Sequence, residues 1–131
     1  MSKPLTSIGL MSGTSLDGID VALLRTDGEN LVARGPSATF PYSDTQRQVL
    51  RRAIADAKAM TDRTARPGLL AEAEQALTAW HAEAIAAFRA AHNPGAIDGI
   101  GFHGQTIIHR PEIRLTVQLG DGPALARATQ T

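Results

Sequence analysis

Residues 5–24 read LTSIGLMSGTSLDGIDVALL. Two apolar runs flank a polar turn. In the first, Ile8 and Leu10 alternate with other residues; in the second, residues 19–24 (IDVALL), only Asp20 is polar. Alternation with a period of two marks a strand, and a run apolar on both faces marks an inner one. The two runs predict two buried strands joined by that turn. The connection between them, residues 12–18 (SGTSLDG), is longer than a minimal turn requires. It carries two glycines, three hydroxyls and a carboxylate, with Asp20 just beyond it.

Working outward, residues 31–40 form a weaker third run. The Asp27-Gly28 pair ahead of it signals a turn, because Gly accepts the positive φ that tight turns need. The period then changes to 3.6. Ser43 and Gln46 have the spacing of a capping box, and Val49, Leu50, Ala53, Ile54 and Ala57 follow at helical intervals. A second helix is predicted after Pro67-Gly68, with Leu70, Ala73, Leu77, Trp80, Ala84 and Phe88 on one face. Trp80 is expected as its core anchor, with His81 and His92 exposed or half-buried. Asn93-Pro94-Gly95 ends it. Residues 58–66 read as a flexible connection. Residues 97–102 read as a short inner strand, 103–111 as an irregular polar loop and 113–119 as an alternating strand. Asp121 is placed to cap a last helix over about residues 124–128, with Pro123 in its first turn. Early antiparallel pairs followed by helix–strand alternation predict an α/β layered domain with a mixed sheet.

Composition narrows the function. A chain of 131 residues makes one domain. Thirteen Lys+Arg against 13 Asp+Glu leave no net charge, which argues against nucleic acid as a main partner. With 43% hydrophobic and 20% charged residues the chain is globular rather than disordered. The absence of cysteine excludes a disulfide scaffold, a thiolate nucleophile and a Cys-ligated metal. No apolar run approaches the ~20 residues of a membrane span, and residues 1–13 make a poor signal peptide. The expected location is the cytoplasm, with no membrane partner.

The turn has an evident chemical use. Gly13 and Gly18 let backbone amides face a bound group without a Cβ in the way. Ser12, Thr14 and Ser15 add hydroxyl donors, and successive amides in such a turn form a nest for phosphate oxygens. Asp17 and Asp20 repel phosphate directly but suit a magnesium ion approached through its waters. This is the equipment of a nucleoside-triphosphate site. It is neither a Walker A loop, since no Lys follows Gly18 and a strand comes next, nor a Gly-x-Gly-x-x-Gly turn. On composition alone, a decorated β-turn with solvated side chains is an equal reading. The polar residues His103, Gln105, Thr106, His109 and Arg110 follow a strand end, where α/β proteins place their sites. On their own, His103 and His109 would satisfy backbone groups in a loop. A metal held by His103 and His109 lacks helical spacing and completing ligands.

Three ordered strings resemble motifs of the anhydro-N-acetylmuramic acid kinase family: IGLMSGTSLDGIDVAL (8–23), GFHGQTIIHRP (101–111) and VQLGDGPALA (117–126). The resemblance implies a ribonuclease-H-like mixed sheet with flanking helices, the first lobe of an actin-like, hexokinase-like ATPase fold. Residues 1–131 would be part of that N-terminal lobe, truncated before its fifth core strand, with the second lobe absent. It implies an ATP- and Mg²⁺-dependent kinase that opens 1,6-anhydro-N-acetylmuramic acid with water and forms N-acetylmuramic acid 6-phosphate, a step of cell-wall recycling. Gly13, Thr14, Ser15, Leu16, Asp17, Gly18, Ile19 and Asp20 would then hold ATP, with Asp17 and Asp20 serving Mg²⁺ through its waters. His103, Gly104, Gln105, Thr106 and Arg110 would meet the sugar. The general-base aspartate is expected in an Asp-Phe-Arg motif beyond Thr131, so no catalytic residue falls in this chain, which is expected to be inactive alone. The family's Gly-Asp-Pro is interrupted here by Gly122. The intact parent is expected to be a homodimer. Two alternatives are a kinase of the same superfamily acting on another sugar or acid, and a non-catalytic binding module.

Overall fold

The computed structural model describes residues 3–131; residues 1 and 2, part of the run weighed as a leader, lie outside them. The strands are β1 (Leu5–Ser12), β2 (Gly18–Thr26), β3 (Val32–Pro41), β4 (Gly99–Arg110) and β5 (Leu115–Leu119), and the helices α1 (Asp44–Ala57), α2 (Leu70–His92) and α3 (Gly122–Thr129). The strands form one sheet in the order β3-β2-β1-β4-β5. β2 is antiparallel to β1 and β3, β4 is parallel to β1, and β5 is antiparallel to β4. This is the α/β mixed sheet that the sequence predicts, with β1 in its middle.

The pleat sorts the residues of β1. Ile8, Leu10 and Ser12 are buried, with Val21 of β2 opposite Leu10, while Gly9 and Met11 are turned to the open face beside Ala22 and Asp20. Leu50, Ala53 and Ala57 of α1 and Leu70, Ala73, Leu77, Ile85 and Phe88 of α2 complete the core. Between β2 and β3 the Asp27-Gly28 signal becomes a wider turn. Gly28 takes φ +79°, and one Asp27 carboxylate oxygen accepts the amides of Glu29, Asn30 and Leu31 at 2.9–3.0 Å. Those bonds hold the exposed Asp27 carboxyl below its ordinary pKa.

Both bonds of the capping box form: the Ser43 hydroxyl accepts the Gln46 amide at 3.1 Å, and the Ser43 amide reaches the Gln46 side chain at 2.8 Å. Ser43→Ala should lower stability by about 1 kcal/mol, measured by urea unfolding. An unchanged midpoint would show that the box adds nothing to the folded state.

Four expectations need correction. The polar stretch after residue 102 is not a loop: β4 runs on to Arg110 and pairs with β5 from Gln105 onward. A register shift between Thr106 and Ile108 lets the adjacent Ile107 and Ile108 both be buried, which breaks the alternation that would have marked a strand. The next strand is shorter than expected, because Pro111–Ile113 makes a 3-10 turn ended by Arg114 at φ +55°. His81 is fully buried, and the core row of α2 passes through it; Trp80 lies at the row's margin, half-buried against Tyr42 with ring centroids 5.8 Å apart. The stretch expected to be flexible is anchored: Met60 is in the core, and Arg63 donates to the Arg114 carbonyl.

Among the described residues, Gly99 to Phe102 pair with β1 on one side and with no strand on the other. A cavity of about 150 Å³ separates that edge from Leu125 and Ala126 of α3.

Candidate functional site

The turn between β1 and β2 is supported from below and open above. Leu16 is its plug. Its side chain is 5% exposed, its φ is +57°, and its amide donates to the Gly13 carbonyl at 3.2 Å. A leucine in the left-handed region is strained, and burial of its side chain holds it there. Thr14, Ser15 and Asp17 are exposed. No acceptor among the described residues takes the amides of Thr14 or Ser15.

The glycines divide by role. A Cβ on Gly13 would meet only the Ser15 hydroxyl, at 3.9 Å, so this backbone is open to an approaching group. A Cβ on Gly18 would lie 2.5 Å from the Phe40 carbonyl oxygen, so its missing side chain is explained by packing against β3. Ile19 is 2% exposed and belongs to the core. Leu16 and Ile19 therefore offer a ligand no side chain. Asp20 projects from the open face, where its carboxylate accepts the Thr39 hydroxyl at 2.6 Å.

Ser12 points the other way. It is 1% exposed and sits in a chain of hydrogen bonds behind the turn. Its hydroxyl donates to the Gln105 carbonyl oxygen, so the Tyr42 hydroxyl, 2.6 Å away, is the donor to Ser12. The Gln105 amide goes on to the Thr106 carbonyl at 3.2 Å. Burial pushes the Tyr42 phenol above its ordinary pKa. Gln105 is itself fully buried, so this side chain meets a ligand only if Ser12 is released.

β4 spreads the second group of candidates along its length. Ser12 pairs with Gln105, which places His103, Gly104, Gln105 and Thr106 beside the turn. His103 is exposed; its Nδ1 donates to the Gly104 carbonyl at 3.2 Å, and its Nε2 accepts from Gln118 at 3.1 Å. It shares a shallow depression on the open face with Met11, Asp20, Ala22 and Gly101. Arg110 lies seven residues on, roughly 20 Å along an extended strand, and donates to the Lys58 carbonyl after α1. His109 is paired with Thr116 at 2.7 Å. Six residues, roughly 20 Å of extended strand, separate His103 from His109 too widely to share a metal ion, and no cluster of three metal-ligating side chains occurs among the described residues.

Residues 5–131 match the family described as anhydro-N-acetylmuramic acid kinase. The chain belongs to this family. It is 62% identical over 126 residues to an anhydro-N-acetylmuramic acid kinase of Bradyrhizobium diazoefficiens and 60% identical over 126 residues to one of Rhodopseudomonas palustris, covering 95% of this chain and 34% of each relative. An Agrobacterium fabrum relative of the same name is 54% identical over 131 residues, 98% of this chain and 35% of its own. The chain thus spans about a third of the length of the curated kinases it matches.

Within this kinase family segment, the supports of the turn and of the bend into α3 are what sequence reading missed. Tyr42 is one. A second is Glu74 of α2, which pairs with Arg66 at 3.2 Å and accepts the Gly120 amide at 3.1 Å. Thr78, one turn on, accepts the Asp121 amide at 3.0 Å. These two residues fix the bend into α3, where the Asp121 carboxylate caps the helix by accepting the Ala124 amide at 3.0 Å. Their signal in the sequence is only a polar pair, i and i+4, on an otherwise apolar helix face. Asp17 and Asp20 are exposed carboxylates, the oxygen-donor type that a hydrated magnesium ion takes together with phosphates, and no group of three metal-ligating side chains surrounds them among the described residues.

No helix of the described residues is long and apolar enough to cross a membrane.

Proposed function

We propose that this chain carries the phosphate-binding turn of an ATP-dependent kinase that opens 1,6-anhydro-N-acetylmuramic acid and phosphorylates it to N-acetylmuramic acid 6-phosphate. The observation behind this reading is the turn itself. The amides of Thr14 and Ser15 are free beside exposed hydroxyls, on a backbone pinned by the buried Leu16. Such a preformed set of donors suits phosphate oxygens and needs little ordering on binding. Asp17 and Asp20 would hold Mg²⁺ through its waters, and ATP supplies the phosphoryl group. His103 and Thr106 stand beside the turn and would meet sugar hydroxyls. Gln105 would act from behind, through Ser12. Arg110 would serve only at the far end of an extended substrate. The intact protein is read as a cytoplasmic homodimer on the family resemblance alone.

The general base that takes a proton from the attacking water is assigned outside these residues, since no Asp-Phe-Arg occurs among them. Residues 1–131 alone should therefore show no turnover of the anhydro sugar with MgATP in a coupled assay. They should still bind MgATP weakly and saturably, with the amide signals of Thr14 and Ser15 moving in an NMR titration. Replacing Asp17 and Asp20 together by Asn should weaken the magnesium-dependent part of that binding about 10-fold, the scale of one charge-assisted contact. Equal binding by the double variant would remove the magnesium role. Wild-type loop amides that stay still at saturating MgATP would remove the phosphate reading altogether.

A further inference from the structure

Tyr42 touches the turn at both ends. Its amide donates to the Asp17 carbonyl at 2.9 Å, where the turn joins β2, and its hydroxyl donates to Ser12, where the turn leaves β1. Tyr42 is itself immobilised. It is 3% exposed, its carbonyl accepts from Arg47 at 3.0 Å, its ring lies against Trp80, and the next residue caps α1. Beyond Ser12 the hydrogen-bond chain reaches Gln105, the residue after the left-handed Gly104 of β4. One residue outside the β1–β2 connection thus bridges that connection, by its amide at one end and its hydroxyl at the other, and links it to β4.

We propose that Tyr42 is a positioning residue, a clamp that closes the turn at residues 13–17 from behind and fixes the shape it presents. The consequence for phosphate rests on the function proposed above; the clamp does not. Without the hydroxyl contact the Ser12 side chain keeps only Gln105, and strand pairing with Ile19 and Gln105 alone holds the β1 end of the turn, so that end loosens while Leu16 and the Asp17 carbonyl hold the other. Buried polar chains of this kind rigidify when every member is satisfied, and here each hydroxyl both finds a partner and serves as one.

The test uses the 131-residue chain. Tyr42→Phe keeps the ring and the backbone bond and removes only the hydroxyl. Amide hydrogen exchange at Leu16 should rise about 2- to 12-fold, the scale of one net hydrogen bond, while Leu10, Val21 and the α2 amides are unchanged. Ser12→Ala should produce the same local rise. An unchanged Leu16 amide in Tyr42→Phe, or a rise shared equally by all core amides, overturns the clamp. So does a Leu16 amide that Ser12→Ala leaves unchanged. Inorganic triphosphate with magnesium separates the two ideas. If the turn loosens in the variants but the wild type binds no triphosphate, the clamp stands and the phosphate reading falls. If the wild type binds triphosphate and Tyr42→Phe binds it equally well with its Leu16 amide unmoved, the phosphate reading stands and the clamp falls.

Discussion

Gly104→Ala is expected to cost about 3 kcal/mol or more, the largest effect of any one-carbon change near the turn. Gly104 adopts φ +74°, and a Cβ there would lie 2.2 Å from the Leu119 carbonyl oxygen. The first feature alone costs roughly 1–2 kcal/mol for an L-residue. The second meets backbone, which cannot rotate aside. Gly104 is also where the β1–β4 pairing slips, from Leu10 with Phe102 to Ser12 with Gln105. The extra residue turns Gln105 inward to Ser12, as a bulge does when it re-aims a side chain. Gly120 crosses close by: a Cβ on it would lie 3.6 Å from the Gly104 Cα and 2.8 Å from the Phe102 ring. Forcing the bulge open should therefore break the Ser12–Gln105 contact and lift the end of β5 as well as strain residue 104. Against a typical total stability of about 5–15 kcal/mol, this would leave a substantial unfolded fraction under mild denaturant. Gly9→Ala is the control, because a Cβ there meets nothing within 4 Å. Urea midpoints for the two variants that fall together would show that the bulge accommodates a side chain.

How far the sequence could be read depended on which signals were local. β1, β2, the capping box at Ser43 and the helical face from Leu70 to Phe88 follow from period and composition within a few residues, and each is present. The second half of β4 was hidden because its meaning is not local. Ile107 and Ile108 are both buried only because β5 and the register shift place them so, and polar His103, Gln105 and His109 mimic a loop until a partner strand is known. The exposed part of the candidate site was legible for the same reason that β1 was: residues 13–18 carry their chemistry in a row. Its supports, and those of the bend into α3, were not. Tyr42, Glu74 and Gln105 act across 30, 46 and 93 residues of chain, to Ser12, Gly120 and Ser12 respectively. No window of sequence contains both partners. Gln105 shows the difference most sharply, since the side chain chosen for a ligand is spent on the architecture behind it.

The second large effect is a loss of stability in acid that traces to His81. Helical spacing places it one turn beyond Leu77, in the middle of the core row of α2, where it is 0% exposed. Its Nδ1 donates to the Leu77 carbonyl at 2.7 Å, its ring lies 4.9 Å from that of Phe102, and its Nε2 has no partner. A proton on Nε2 would place a charge in an apolar site with nothing to accept its hydrogen bond. Burial accordingly lowers the pKa of His81 from its ordinary value, opposed only by the Leu77 carbonyl, and no ionised side chain contributes. The sign follows. Above about pH 6.5, the ordinary histidine value, the ring is neutral in both folded and unfolded chains and the packing of α2 on β4 is fully available. As pH falls below that value the unfolded chain takes up a proton that the folded chain refuses, so stability drops by up to about 1.4 kcal/mol per pH unit until the depressed folded value is reached. His81→Leu removes both the proton site and the unpartnered nitrogen at similar volume. It should flatten the curve of urea midpoint against pH over about pH 7 to 5 and cost little at neutral pH, where the loss of the Leu77 bond is offset by burial of a carbon side chain. A slope that survives in His81→Leu would place the acid sensitivity elsewhere in the chain and leave His81 as packing alone.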